Sequence, residues 1–305
     1  MEAKLEDVLL VKAEKIVGSI KGKQLLLESE ANRILSLEVS KSNDKLDANY
    51  WCTATTGEAL KKLNYMTLQN FNYIETMGVV AVVRYVFEVS IWLKLFKKNS
   101  SYGYVYYSEL IKTQTRYWDK SKERLESEIS FLQSVGEKEK ELIQRELAIA
   151  NSATGTEKEN LLQTMYSRVN KEIDASAART FSLYSEQAII NGYEYQAHMI
   201  KEKALPEAIS SQKQMQTEKD EFQSTIAEKI TDISAKRWNW RDKAQLVGMI
   251  EEYDYIYMLT STLLHATPAS ITTDAKNLTK PELVMFLRYI DVKLKDVLEL
   301  SSDIK

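Results

Sequence analysis

Two residues of opposite charge, Arg84 and Glu88, lie within the most apolar stretch of this 305-residue chain, residues 77–96. Because they are four residues apart, a helix through this stretch places both side chains on one face. A buried charge costs several kcal/mol unless it is paired and hydrogen-bonded. We therefore expect a core helix here, and we expect another part of the fold to supply polar groups to this pair.

A second polar set follows helical spacing near the other end of the chain, in steps of four residues: Tyr253, Tyr257, Ser261 and His265. This spacing places the four side chains along one helix face. His265 closes an apolar run, so its ring is expected to face the core. If the two helices pack together, Glu88 can accept hydrogen bonds from Arg84 and His265, while Tyr257 or Ser261 satisfies the remaining groups.

Two hypotheses fit these residues. As a catalytic site, His265 would act as general acid or base, Glu88 would orient it, and Arg84 would stabilise developing charge on a phosphate. The tyrosines and Ser261 would then contribute to binding. As a structural device, the same groups would form a buried polar network that fixes the register of two helices. The residue pattern alone leaves both hypotheses open.

A third candidate is the segment 236–243, which mixes four cations with two tryptophans, among them Trp238 and Arg241. Basic residues interleaved with aromatic residues can contact the backbone and bases of a nucleic acid. More commonly the tryptophans pack inside and the cationic side chains cover them. The net charge of −3 and the pI of about 5.7 give no general attraction to nucleic acid or to an anionic membrane.

Composition narrows the fold and the chemistry further. With 9 glycines and 3 prolines, the chain is predicted to be all-α. Cys52 and two histidines are too few for an ordinary zinc site, and we expect no metal and no cofactor. The sequence has no P-loop, nucleophile elbow or dinucleotide fingerprint. The N-terminus has no signal-peptide pattern, so we expect a cytoplasmic protein, and the charges within residues 77–96 argue against a membrane span.

The elements that would position these residues form a helical bundle with a long antiparallel helical hairpin. We expect N-terminal helices in residues 1–117, the hairpin in 118–204 and C-terminal helices that complete the bundle in 205–305. The polar segment 151–156 is the predicted tip of the hairpin. The return helix is predicted to run from Leu162 to Ala188, with apolar residues at spacings of three and four. Such an arm is expected to mediate homo-oligomerisation or to bind a protein partner, unless it folds back along the bundle.

The Arg84-x-x-x-Glu88 helix, the charged hairpin, and the Trp238…Tyr253-x-x-x-Tyr257-x-x-x-Ser261-x-x-x-His265-x-x-Pro268 segment together resemble a bacterial family of helical proteins of unknown function. The resemblance covers roughly residues 65–270 and brings no activity with it. A looser similarity is to HEPN proteins, which include ribonucleases of toxin and antiphage systems. Their Arg-x4–6-His spacing precedes neither His198 nor His265, so Arg84 and His265 would have to meet from different helices.

From these observations we expect a cytoplasmic helical interaction or regulatory protein, homodimeric and part of a bacterial stress or antiphage module. The alternative is a metal-independent ribonuclease or nucleotide-processing enzyme that uses Arg84, Glu88 and His265. The surroundings of His265 distinguish the two, because the enzyme requires an open cleft lined by Arg84 and Tyr257.

Overall fold

The computed structural model of the chain describes residues 2–71, 75–234, 238–265 and 277–304. Every regular element in these ranges is helical, which confirms the predicted all-α class. The chain divides into two compact units: unit 1 comprises Met1–Glu109 and Phe222–Lys305, and unit 2 comprises Leu110–Glu221. The domain boundaries predicted from the sequence lie nearby, at 117/118 and 204/205.

The helices follow one another with short connections. The first part of the chain contains α1 (Glu2–Gly22), α2 (Gln24–Leu35), α3 (Glu38–Lys41), α4 (Ala48–Asn70) and α5 (Thr76–Lys98). Then come α6 (Tyr102–Ser152), α7 (Gly155–Ala177), α8 (Ser185–Asn191), α9 (Tyr193–Met199), a π-helical turn (Ile200–Ala204) and α10 (Leu205–Thr225). The last part contains a 3-10 turn (Ala227–Ile230), α11 (Thr231–Ser234), α12 (Trp240–Leu246), α13 (Ile250–Glu252), a π-helical turn (Tyr253–Tyr257), α14 (Met258–Leu264) and α15 (Lys280–Ser302).

Helix α5 is the core helix of unit 1, as the apolar run predicted. It packs against α4, α12, α14 and α15, so nearly its whole circumference meets other helices. Its valines lie in one cluster with apolar residues of α1, α2, α4 and α15, and the largest of these partners include Ile20, Leu27, Leu63, Phe286 and Ile290. None of the helices in the described ranges combines the length and the apolar character that a membrane crossing needs.

Helix ends in unit 1 partly correct the sequence analysis. Helix α4 begins at Ala48, where the Asp47 side chain accepts from the Asn49 N–H at 2.9 Å, so the predicted capping box at Thr55 is wrong. The capping box at Thr279 and Glu282 is confirmed. Helix α6 starts against α4, and a Cβ on Gly103 would lie 2.2 Å from the carbonyl oxygen of Ala48. Only glycine permits that close contact with the backbone.

Unit 2 contains the predicted helical hairpin. Helices α6 and α7 are joined at Ala153–Thr154, inside the predicted tip. Arg168 bonds Glu146 at 2.7 Å and Arg145 bonds Glu172 at 3.4 Å, a pairing that runs in opposite directions along the two helices. Their apolar stripes share a core that contains Leu125, Leu132, Leu142, Met165, Val169 and Ile173.

The return helix is shorter than predicted. It ends at Ala177, and a non-helical segment, residues 178–184, precedes α8. Helix α9 then lies close to α6, since a Cβ on Gly136 would lie 2.6 Å from Cγ of Glu194. The glycine that interrupts the apolar stripe of α6 is therefore the position at which the two helices approach each other.

The charge that holds this segment is one the sequence analysis did not select. The Glu128 side chain is 0% exposed. It accepts a hydrogen bond from Arg124, one from the Ser182 hydroxyl at 2.6 Å and one from the Leu183 N–H at 3.0 Å. Arg124 also donates to the Phe181 carbonyl and lies over the Phe181 ring, 4.8 Å from its centroid. Glu128 thus ties residues 181–183 to α6.

We expect Glu128→Ala to open the 178–184 segment while the hairpin stays helical. The substitution leaves Arg124 and the Leu183 N–H without their acceptor, at a cost of about 1.4 kcal/mol or more. That cost corresponds to about tenfold faster native-state cleavage by trypsin after the exposed Arg179, measured by mass spectrometry of the fragments. Glu126→Ala, at a solvent-exposed position on the same helix, is the control. Equal cleavage rates in the two variants would contradict the anchoring role of Glu128.

Candidate functional site

The predicted Arg84–Glu88 ion pair is present on α5. Arg84 Nε donates to Glu88 Oε1 at 3.1 Å. The two side chains are 23% and 25% exposed, so the pair is half-buried and does not lie deep in the core as expected. Both residues sit on the part of α5 that is left uncovered between its helical neighbours, which is how a charged pair is accommodated within an apolar run.

Helix α14 meets this pair, which confirms that the Arg84 helix and the Ser261 helix are neighbours. Arg84 Nη1 donates to Ser261 Oγ at 2.9 Å. The guanidinium carbon lies 4.5 Å from the centroid of the Tyr257 ring, in cation–π geometry. Tyr257 in turn stacks on Tyr253, with centroids 4.7 Å apart and rings tilted by 18°. Arg84 is therefore engaged by two helices through an ion pair, a hydroxyl and an aromatic face.

The π-helical turn that carries the two tyrosines is held from the other side by α15. Glu252 immediately precedes this turn and accepts from the Tyr289 hydroxyl at 2.6 Å and from Lys293 Nζ at 3.0 Å. Burial and the neighbouring Glu252 raise the pKa of Tyr289, so this hydroxyl stays protonated as a donor. The turn consequently has fixed anchors on both α5 and α15.

His265 does not occupy the position predicted for it. It follows the last residue of α14 with extended backbone angles, φ −111° and ψ 149°, and it is exposed. The expectation that its ring faces the core is wrong. The helix ends one residue too early to carry His265 onto the face of Tyr257 and Ser261, because the chain leaves helical geometry at this residue.

The two candidate residues of the basic and aromatic segment have separate environments. Trp238 stacks on Trp92 of α5, with centroids 4.2 Å apart and rings tilted by 11°, and Lys243 lies over its ring at 5.3 Å. Arg241 is exposed and lies 3.5 Å from Asp254. Trp238 is thus packed and covered by a cation, which is the structural alternative for this segment. Residues 236 and 237 lie outside the described residues.

Burial sets the protonation behaviour of the site. Desolvation raises the pKa of Glu88, and the hydrogen bond and charge of Arg84 oppose the shift without cancelling it. Burial also raises the pKa of Tyr85, on the same helix, to about 12. Cys52 is free, and burial raises the pKa of its thiol to about 12, which makes it a poor nucleophile. Within the described ranges, no group of His, Cys, Asp and Glu side chains could hold a metal ion.

The sequence analysis missed one face of α5. Tyr85, Glu88 and Trp92 follow spacings of three and four, and together they line a pocket with residues of α4, α6 and α12. The helical spacing was visible in the sequence, but the partners that turn this face into a pocket were not. Glu88 therefore belongs both to the Arg84 network and to the pocket wall.

Substitutions at the pair should separate its two contributions to stability. Arg84→Met removes the partner of a half-buried carboxylate and is expected to cost about 1 to 3 kcal/mol in the free energy of unfolding. Glu88→Gln keeps an acceptor for Arg84 and is expected to cost less at neutral pH, because the uncharged amide avoids the desolvation that raises the pKa of Glu88.

The pH dependence of Glu88→Gln follows from the same shift. A folded-state pKa above the ordinary 4.5 means that the wild-type advantage over Glu88→Gln is fullest below about pH 4.5 and declines as the pH rises through the folded-state value. Urea unfolding of both proteins at several pH values measures this difference. An advantage that grows with pH would mean that Arg84, and not burial, dominates the energetics of Glu88.

Comparison with known proteins gives one match. The sequence model of the Family of unknown function (DUF5677) matches residues 156–280, which include Tyr253, Tyr257, Ser261 and His265 and end at the first residue of α15. Arg84 and Glu88 lie outside the matched segment. No curated protein and no solved structure matches the chain, and the looser similarity to HEPN proteins is not shown. Over residues 156–280 the chain therefore matches a family to which no function has been assigned, as the resemblance in the sequence indicated.

Proposed function

We propose that this protein is an interaction or regulatory protein in which the Arg84 network is a structural device. The observation that carries the proposal is the engagement of the Arg84 guanidinium. It donates to Glu88 and Ser261 and lies over Tyr257, so binding a substrate phosphate would require breaking contacts within the protein. A network of this kind fixes the register of α14 against α5.

Unit 2 offers the surface for interaction. Five large apolar residues are exposed within residues 181–195, and Ile190 is the most exposed of them at 82%. The set comprises Phe181, Leu183, Ile189, Ile190 and Tyr195. Burying such side chains contributes roughly 25 cal/mol per Å² of apolar area. We assign a second copy of the chain as the partner, which agrees with the homo-oligomer expected from the hairpin.

The setting of the protein is also part of the proposal. The resemblance to a bacterial family supports a role in a stress or antiphage module, and the free Cys52 supports a reducing cytoplasm. The acidic net charge gives no support for nucleic acid as the partner.

Sedimentation velocity over a range of concentrations tests self-association. We expect the wild type to form dimers and Ile190→Glu to weaken the dimer by about tenfold or more, since a buried carboxylate at an interface is costly. Leu25→Glu is the matched control, because Leu25 is 76% exposed in unit 1 and the substitution introduces the same charge. A wild type that stays monomeric, or equal effects of the two substitutions, would contradict the assignment of residues 181–195 as the dimer surface.

The alternative function is a metal-independent ribonuclease or nucleotide-processing enzyme. One observation favours it: burial raises the pKa of Glu88, which suits a general acid near neutral pH. The enzyme would also need Arg84 released from its partners and His265 turned toward Glu88. These requirements make it the second candidate.

Activity on RNA and on nucleotides distinguishes the two functions. The enzyme predicts that His265→Ala stays folded, as checked by circular dichroism, while the rate falls by about two or more powers of ten. The structural proposal predicts equal and background-level rates for the wild type and His265→Ala. Wild-type turnover that depends on His265 would overturn the first proposal.

A further inference from the structure

A pocket of about 460 Å³ lies beside Glu88, on the face of α5 that the sequence analysis missed. Its wall is largely aromatic and comes from α5, α6 and α12: Tyr85, Trp92, Tyr106 and Trp240. Two carboxylates, Glu58 of α4 and Glu88 of α5, complete the polar part of the wall. The volume lies within the range of roughly 300 to 1,000 Å³ that small-molecule sites occupy.

The aromatic wall is held in place by ring–ring packing. Trp92 meets Tyr106 edge to face, with centroids 5.2 Å apart and an angle of 82°. Trp92 also stacks on Trp238, and Trp238 meets Trp240 edge to face at 5.2 Å and 88°. Each ring is therefore positioned by a neighbour, so the wall is preorganised. The faces of such rings attract cations through their quadrupoles.

The pocket is lined by the negative ends of two ion pairs, while their positive ends lie outside its wall. Glu88 lines it and Arg84 does not; Glu58 lines it and its partner Lys61, at 3.4 Å, does not. Oε1 of Glu88 accepts from Arg84, and Oε2 has no hydrogen-bond partner in the part of the chain that the structure describes. The one cation in the wall, Lys62, lies over the ring of Tyr65, which is not among the lining residues.

We propose that this pocket binds an alkylated ammonium ion. The aromatic faces would surround the alkyl groups of the cation, and Glu88 and Glu58 would balance its charge. Recognition of alkylated ammonium groups by aromatic cages rests on this combination of rings and a full positive charge. A nucleotide would also stack on the rings, but its phosphates would meet two carboxylates and a single lysine, so the wall favours the cation.

Every lining residue belongs to unit 1, whereas the self-association proposed above involves unit 2. The two proposals are therefore tested by different substitutions. Ligand binding to a protein that stays monomeric would leave this inference intact, and a dimer that binds no ligand would leave the proposed function intact.

Isothermal titration calorimetry of the full chain with choline tests the site, and 3,3-dimethylbutan-1-ol, its uncharged isostere, tests the requirement for charge. We expect choline to bind with a Kd in the micromolar to millimolar range and the alcohol to bind at least about tenfold more weakly, since a desolvated cation–π contact contributes about 2 kcal/mol or more. AMP, titrated in parallel, tests the nucleotide.

Three variants locate the binding. Glu88→Gln and Trp240→Leu are each expected to weaken choline binding by about tenfold, and Glu58→Gln provides a second carboxylate variant at an exposed position in case Glu88→Gln does not fold. Glu28→Gln is the control, because Glu28 is an exposed carboxylate of unit 1 that does not line the pocket. The proposal is overturned if choline does not bind, if the alcohol or AMP binds as well as choline, or if the pocket variants behave like the control.

Discussion

The arrangement of unit 1 depends on one constraint: α5 is enclosed by other helices and yet carries a full ion pair. An apolar helix could pack against its neighbours in several rotations at similar energy, whereas Arg84 and Glu88 tolerate few. With Arg84 bound to Ser261 and covered by Tyr257, α14 and the π-helical turn meet α5 in one register. Any other rotation would leave a charge without partners, at a cost of several kcal/mol.

The same short motif recurs in unit 2 with a different outcome. Arg124 and Glu128 are also an arginine and a glutamate four residues apart on one helix. There the glutamate is fully buried, and the segment that follows α7 wraps over it and supplies a hydroxyl and a backbone N–H. Both pairs lie where a second element must be held against a long helix. A directional charge specifies such a contact more sharply than apolar packing does, because apolar contact is not directional.

These two networks divide the surface of the protein into places that are committed and places that are free. Arg84, Ser261 and Tyr257 satisfy one another, so this polar centre has little left to offer a ligand. The neighbouring face of α5 has the opposite character, since Glu88 Oε2 and a set of ordered rings line open space. In unit 2, the segment fixed by Glu128 leads directly into residues whose apolar side chains face solvent. A structural charge and a binding surface therefore lie next to each other in both units.

The sequence by itself determined the helical class, the hairpin tip, the core position of α5 and the cap of α15. These features depend on local rules: low glycine and proline content, apolar periodicity, polar residues at a turn, and a reciprocal Thr–Glu cap. It also determined that Arg84 pairs with Glu88, because spacing alone places them together. The neighbourhood of Ser261 and Tyr257 followed from the requirement that a charged pair in an apolar run needs polar partners.

Only the tertiary structure decided which charge is buried. The apolar neighbours of Arg84 and Glu88 in the sequence suggested deep burial, and the charged neighbours of Arg124 and Glu128 suggested exposure, yet Glu88 keeps a quarter of its surface and Glu128 keeps none. Burial depends on which element covers a face, and that element can lie far along the chain. The same reason explains the early end of α7, the exposure of His265 and the pocket beside α5, since each is set by contacts between segments that no local pattern connects.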